Sequence, residues 1–115
     1  MNIQSLIDKL ENLEVLLHSA EGKADVVCIT EHWLKKYEID QININGYKIV
    51  DSFCRDKTKR GGSCIIVKDM IETVDISFEA EGIAQEKIFE LSITKLKKPE
   101  LVIACIYRIP DESRG

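Results

Sequence analysis

The chain has 115 residues with 44% hydrophobic content, and 16 Lys and Arg against 20 Asp and Glu give a formal net charge of −4. That length predicts a single domain, and the apolar share excludes a disordered chain. The longest apolar runs, residues 26–29 and 101–107, fall far short of the roughly 20 residues a bilayer span needs, so no membrane partner is expected.

The start, Met1-Asn2-Ile3-Gln4-Ser5, turns acidic at Asp8 and Glu11. It has neither the basic start nor the apolar core of a secretory signal, which predicts an intracellular protein, nuclear or cytoplasmic. Cys28, Cys54, Cys64 and Cys105 lie 26, 10 and 41 positions apart. Zinc sites use closer pairs, so these read as buried or half-buried free thiols.

In chain order, the first element is a helix. Ile3, Leu6, Ile7, Leu10, Leu13, Leu16 and Leu17 recur at steps of three and four and form one apolar stripe. Ser5 with Asp8 suits a capping box that places the first turn near Leu6, His18 falls near the last turn, and Gly22 suits the stop. Residues 25–30 form a short β-branched run, the pattern of a strand buried on both faces beside a parallel neighbour. A helix leading into such a strand is half of a βαβ unit, and the strand expected before the helix is missing from the sequence.

Glu31-His32-Trp33-Leu34 then opens a loop or helical turn, and a turn at residues 42–46 leads into a strand over Tyr47–Phe53. Ser63–Lys68 is the next strand. Residues 73–78 alternate through Val74, Ile76 and Phe78, and residues 88–94 through Phe89, Leu91 and Ile93, so each segment predicts a strand with one buried face. Residues 97–100 make a turn into a fully apolar strand, Leu101–Tyr107. One main helix with five to six strands indicates α+β or a layered α/β sandwich.

Glu31 stands immediately after a buried strand, at the end where open α/β sheets place their ligands. Mg²⁺ is commonly held by one or two carboxylates, with waters and phosphate oxygens completing its shell. Asn2 would add an amide oxygen if the missing strand ran beside residues 25–30. The bland alternatives are a solvated acid and an ordinary loop residue. Tyr107 and Arg108 end a second apolar strand, where a phenol and a guanidinium suit a phosphate; a packed aromatic ring is the alternative. Between Arg55 and Lys68, five basic residues (Arg55, Lys57, Lys59, Arg60, Lys68) face one acid, Asp56, a local charge of +4. Such a stretch suits a nucleic-acid backbone or a solvated hairpin.

Four motifs in series then carry a resemblance that runs from Asn2 to Pro110. They are Asn2-Ile3-Gln4-Ser5-Leu6, Ile29-Thr30-Glu31-His32-Trp33-Leu34, Arg60-Gly61-Gly62-Ser63-Cys64-Ile65 and Ile106-Tyr107-Arg108-Ile109-Pro110. The chain resembles the endonuclease/exonuclease/phosphatase superfamily, nearest to the apurinic-type endonuclease domain of LINE-type (non-LTR) retrotransposons. The resemblance implies a four-layer α/β sandwich, truncated here after its first sheet, and Mg²⁺-dependent phosphodiester hydrolysis. It makes Glu31 the metal ligand, Asn2 part of the metal or phosphate pocket, Tyr107 the contact to the scissile phosphate, and Arg60-Gly61-Gly62 a structural turn beside the substrate face. Arg55, Lys57, Lys59, Arg60 and Arg108 are the expected nucleic-acid contacts.

The departures are as informative. The family's Gly-Asp-Phe-Asn-like and Ser-Asp-His-like segments, which supply the base and the phosphate-binding histidine, are absent, and the usual Arg-Pro-Pro reads Arg108-Ile109-Pro110. The expectation is a fragment of a DNA-nicking endonuclease, catalytically incomplete alone, whose relatives continue into a larger polyprotein. The alternatives are a non-catalytic remnant that binds nucleic acid or protein, and a superfamily member acting on a small phosphorylated substrate. Half a sandwich also leaves sheet surface without cover, so self-association is expected.

Overall fold

A computed structural model describes residues 1–19 and 24–109. The order is helix α1 (Leu6–His18), strand β1 (Val26–Thr30), one-turn helix α2 (Lys36–Ile39), β2 (Tyr47–Phe53), β3 (Ser63–Lys68), β4 (Thr73–Val74), a 3-10 turn (Ser77–Ala80), β5 (Glu90–Leu96) and β6 (Leu101–Tyr107). The described residues form an α+β arrangement, with one main helix and two three-stranded antiparallel sheets in orders β1-β3-β2 and β4-β5-β6.

The helix forms on the expected residues but is capped differently. Ser5 has φ 80° and its hydroxyl donates to the Asp8 carboxylate at 3.0 Å rather than accepting from helix backbone. The open N–H groups of Ser5 and Leu6 instead donate to the carbonyls of Glu31 and His32, each at 3.0 Å. Leu6, Leu13 and Leu17 are buried, while Ile7 and Leu16 stay about half exposed, so the buried stripe is narrower than its sequence pattern. Gly22 and Pro110 lie outside the described residues.

The stripe packs on one face of the first sheet, in a cluster with Ile3, Ile29, Leu34, Ile39, Ile44, Tyr47, Cys64 and Ile66. The opposite face contributes Ile65 and Val67, which join Cys105 between the two sheets with Val26, Cys28, Val50, Ile71 and Ile103 around them. The strand buried on both faces is therefore β3, whose Cys64-Ile65-Ile66-Val67 run is wholly inaccessible. β1 was expected in that role beside a parallel neighbour, but it pairs antiparallel with β3. A parallel contact does exist on its other edge, where Asn2 bridges Thr30; Thr30 N–H donates to Met1 O at 2.7 Å and Ile3 N–H to Thr30 O at 3.0 Å.

Two alternating segments behave unlike their patterns. Residues 73–78 yield only a two-residue strand, because the Asp75 carboxylate accepts the Ser77 N–H at 2.8 Å and turns the chain into the 3-10 turn, leaving Phe78 exposed. In β5 the polar residues line the space between the sheets: Glu90, Ser92 and Thr94 are at most 1% exposed. Each has a partner there. Ser92 Oγ meets Ser63 Oγ at 2.7 Å, Thr94 Oγ1 donates to Val74 O at 3.4 Å, and Glu90 takes the ion pair described below. On β6 the expected continuous burial is also absent. Val102 and Ile106 point outward at 52% and 50% exposure, the surface on which the self-association expected from the sequence would act.

Candidate metal and phosphate site

β1 and β6 end side by side, and this brings together the acid and the phenol singled out in the sequence. The Tyr107 phenol is pushed above its ordinary pKa by burial, then by hydrogen bonding to the Glu31 side chain and by the Glu31 charge. Glu31 stands in the left-handed region at φ 58°, a conformation that costs of order 1–3 kcal/mol in a non-glycine residue and persists only where surroundings enforce it. They do: Glu31 N–H donates to Gly62 O at 2.7 Å, and Ser5 N–H binds Glu31 O at 3.0 Å. Asn2, exposed and bridged to Thr30, lies on the far edge of the same strand end.

The glycine turn is the clasp beneath the acid. Gly62 has φ 91°, and a Cβ there would strike the His32 imidazole; a Cβ on Gly61 would strike the Arg55 guanidinium. His32 is fully buried, with Nδ1 accepting from Leu34 N–H at 2.9 Å and Nε2 donating to Phe53 O at 3.0 Å. Burial lowers its pKa, so the neutral tautomer persists and the ring has no nitrogen left for a metal.

Arg55 requires a correction. Expected on the solvated basic face, it is 7% exposed and its Nε pairs with Glu90 Oε2 at 2.6 Å. Glu90 also accepts from Gly62 N–H at 2.6 Å and Lys87 N–H at 2.8 Å, and it stands opposite Tyr107 in the sheet. This buried pair is an internal brace beneath the site, with the Arg55 guanidinium engaged by Glu90 and by Lys59 O rather than standing free on the exposed basic face. Glu90 went unread in the sequence because it occupies the polar phase of an alternating segment, which ordinarily faces water.

Lys57, Lys59 and Arg60 are exposed, as is Arg108 directly after Tyr107. The Arg60 guanidinium lies 4.8 Å from the centre of the Trp33 ring, and Lys59 and Arg60 line a hollow of about 280 Å³ beside it. The loop carrying these charges is held from both polarities. Lys35 Nζ donates to Arg55 O at 2.9 Å and Thr58 O at 2.8 Å, while the Glu86 carboxylate accepts the N–H groups of Asp56, Lys57 and Thr58 and the Thr58 hydroxyl at 2.5–3.1 Å. Lys35 and Glu86 had no motif to mark them. A larger groove of about 790 Å³ runs between β2 and the segment around the 3-10 turn, and none of the candidate residues lines it.

Desolvation raises the Glu86 carboxyl, but the Thr58 hydroxyl and the loop N–H groups more than offset this and bring it from 4.5 to about 2. A carboxyl depressed on folding stabilises the docked loop fully above its unfolded pKa and loses that effect as the pH falls through its folded value. Hydrogen-exchange protection factors at Asp56, Lys57 and Thr58 should therefore be high at neutral pH and fall between pH 4.5 and about 2. In Glu86→Ala the protection should be absent throughout.

No family model, curated protein or solved structure matches the chain. Among the described residues no group of three or more His, Cys, Asp and Glu converges as a metal cage, and no helix is long and apolar enough to cross a membrane. The half-buried Glu31 carboxylate and the exposed Asn2 amide are hard oxygen donors at one strand end. That donor set fits Mg²⁺ in its one-carboxylate mode, with water and phosphate oxygens supplying the rest.

Proposed function

We propose that the chain carries half of the phosphodiester-cleaving site of an endonuclease/exonuclease/phosphatase-type sandwich, the two facing sheets and α1 being part of that four-layer arrangement. The observation that carries this reading is the meeting of Glu31 and Tyr107 where β1 and β6 end. Glu31 and Asn2 would hold Mg²⁺, which when bound polarises a phosphoryl oxygen and stabilises the leaving oxyanion. Tyr107 would donate its phenol proton to a non-bridging phosphate oxygen, exchanging the Glu31 carboxylate for the substrate. Arg108, next along the backbone, would neutralise the neighbouring phosphate.

Among the described residues, neither histidine is placed to act as base for the attacking water at this pair. The two histidines are His32, whose ring nitrogens are both engaged, and His18, whose Nε2 lies 2.7 Å from Asn45 O on the far end of α1. General-base assistance is worth roughly 10²–10⁴ in rate. The purified chain should therefore bind a hard divalent ion and phosphodiester without nicking supercoiled plasmid.

Mn²⁺, which prefers the same oxygen donors, tests the first half of that statement. In amide NMR spectra it should broaden the signals of residues 30–32 and 107–108 and leave the outward face of α1 sharp, and Glu31→Gln should abolish the broadening. Broadening elsewhere, or unchanged in the variant, would remove the metal site. Plasmid nicking that Glu31→Gln eliminates would instead show the site to be complete.

The exposed cluster of Lys57, Lys59, Arg60 and Arg108 also supports retention of DNA as a non-catalytic partner. Binding of duplex DNA should then weaken with salt, with a logarithmic slope of about −0.9 per phosphate engaged. Changing Lys57 and Lys59 to Glu should flatten that slope, whereas Glu31→Gln should leave it.

A further inference from the structure

Ser63 and Ser92 touch across the gap between the sheets at 2.7 Å; Cys105 of β6 is the register partner of Ser92, and Cys28 of β1 is the partner of Ile65, two residues beyond Ser63 on β3. Cys28 packs against the cluster formed by Ile65, Val67 and Cys105. Cys105 is 3% exposed, and its Sγ lies 3.4 Å from the carbonyl of Ile29, the residue after Cys28. We propose that Cys28 and Cys105 are the partners of a reversible disulfide, formed with a hydroperoxide as oxidant, that staples β1 to β6 beneath the Glu31–Tyr107 pair.

Bridged cysteines need Cα atoms roughly 4.4–6.8 Å apart, closer than facing sheets usually stand, and the Ser63–Ser92 contact and the 3.4 Å approach of Cys105 Sγ to Ile29 O draw the sheets together beside this pair. The other two thiols are placed differently. Cys64 faces α1 in the closed core, where burial pushes its pKa up to about 12, and Cys54 lies 3.9 Å from His32 Nε2. Cys28 is half-buried and so reachable by a small oxidant, and the Cys105 side chain hydrogen-bonds it and holds its thiol down at about 7.

The Cys28 thiolate attacks the peroxide, the O–O bond breaks, and Cys28 becomes a sulfenic acid as hydroxide or alkoxide leaves. The Cys105 sulfur then attacks the Cys28 sulfur. The S–O bond breaks, the Cys105 proton departs in water, and the two thiols have given two electrons to the peroxide. Cys28 lies three residues before Glu31 and Cys105 two before Tyr107, so the bond would fix the spacing of the two strands that carry them. The inference stands on the cysteine geometry alone and does not depend on the phosphodiesterase reading.

The fully reduced chain, treated with hydrogen peroxide, alkylated and digested without reductant, should retain two of its four thiols. It should release a linked peptide containing Cys28 and Cys105, lighter by two hydrogens than the separate peptides and split by dithiothreitol. Cys28→Ser and Cys105→Ser should each eliminate that peptide, and Cys54→Ser should not. Four alkylated thiols, pairing through Cys54, bridges between two chains, or a Cys28 sulfinic acid beside an alkylated Cys105 would each overturn the proposal. The mapping of the unmodified sequence decides the matter even where a variant folds poorly.

Discussion

Glu90→Ala should lower the unfolding free energy by about 3–5 kcal/mol, read as the shift of the urea midpoint at constant slope. The substitution leaves the Arg55 guanidinium, 7% exposed, without its carboxylate, and it strips the Gly62 and Lys87 N–H groups of their acceptor. An uncompensated buried charge costs far more than the pair gains, because the surroundings cannot restore the water that was removed. A double replacement, Arg55→Met with Glu90→Leu, should recover much of the loss since no charge then remains to be desolvated. Equal destabilisation in the single and double variants would mean that the backbone contacts of Glu90 matter and the ion pair does not.

The second large effect lies one hydrogen bond away. Gly62→Ala should cost about 2–5 kcal/mol, from placing a side chain at φ 91° and from driving its Cβ into the His32 ring. His32 cannot retreat easily, since its two nitrogens are committed to Leu34 N–H and Phe53 O. The same variant should also disturb the candidate site, because Gly62 O receives the Glu31 N–H that keeps the acid in its left-handed conformation. Gly82→Ala is the control. A Cβ there meets nothing within 4 Å, so its effect should stay within about 0.5 kcal/mol. Comparable losses for the two glycines in chemical denaturation would refute the clasp.

The first of these effects concerns residues that pattern reading placed wrongly or left unread. Arg55 belongs to a run of basic residues and Glu90 to an alternating strand, and each looks solvated when only its neighbours in sequence are considered. They neutralise each other across 35 positions. A one-dimensional pattern cannot anticipate this, because the burial of either charge is tolerable only in the presence of the other. The outward faces of β6 show the converse, since an apolar run signals a strand but not whether anything will cover it.

Local chemistry alone settled the helix over α1, the strands at β2, β3 and β6 and the free thiols, because apolar periodicity and β-branching act over a few residues. It also marked Glu31 and Tyr107 as strand-end groups. Their meeting, the antiparallel pairing of β1 with β3, the polar seam of Ser63, Ser92, Thr94 and Glu90, and the facing of Cys28 and Cys105 were decided by tertiary structure. Each depends on two segments distant in the chain arriving at one place, where a buried polar atom is stable only if its partner arrives too.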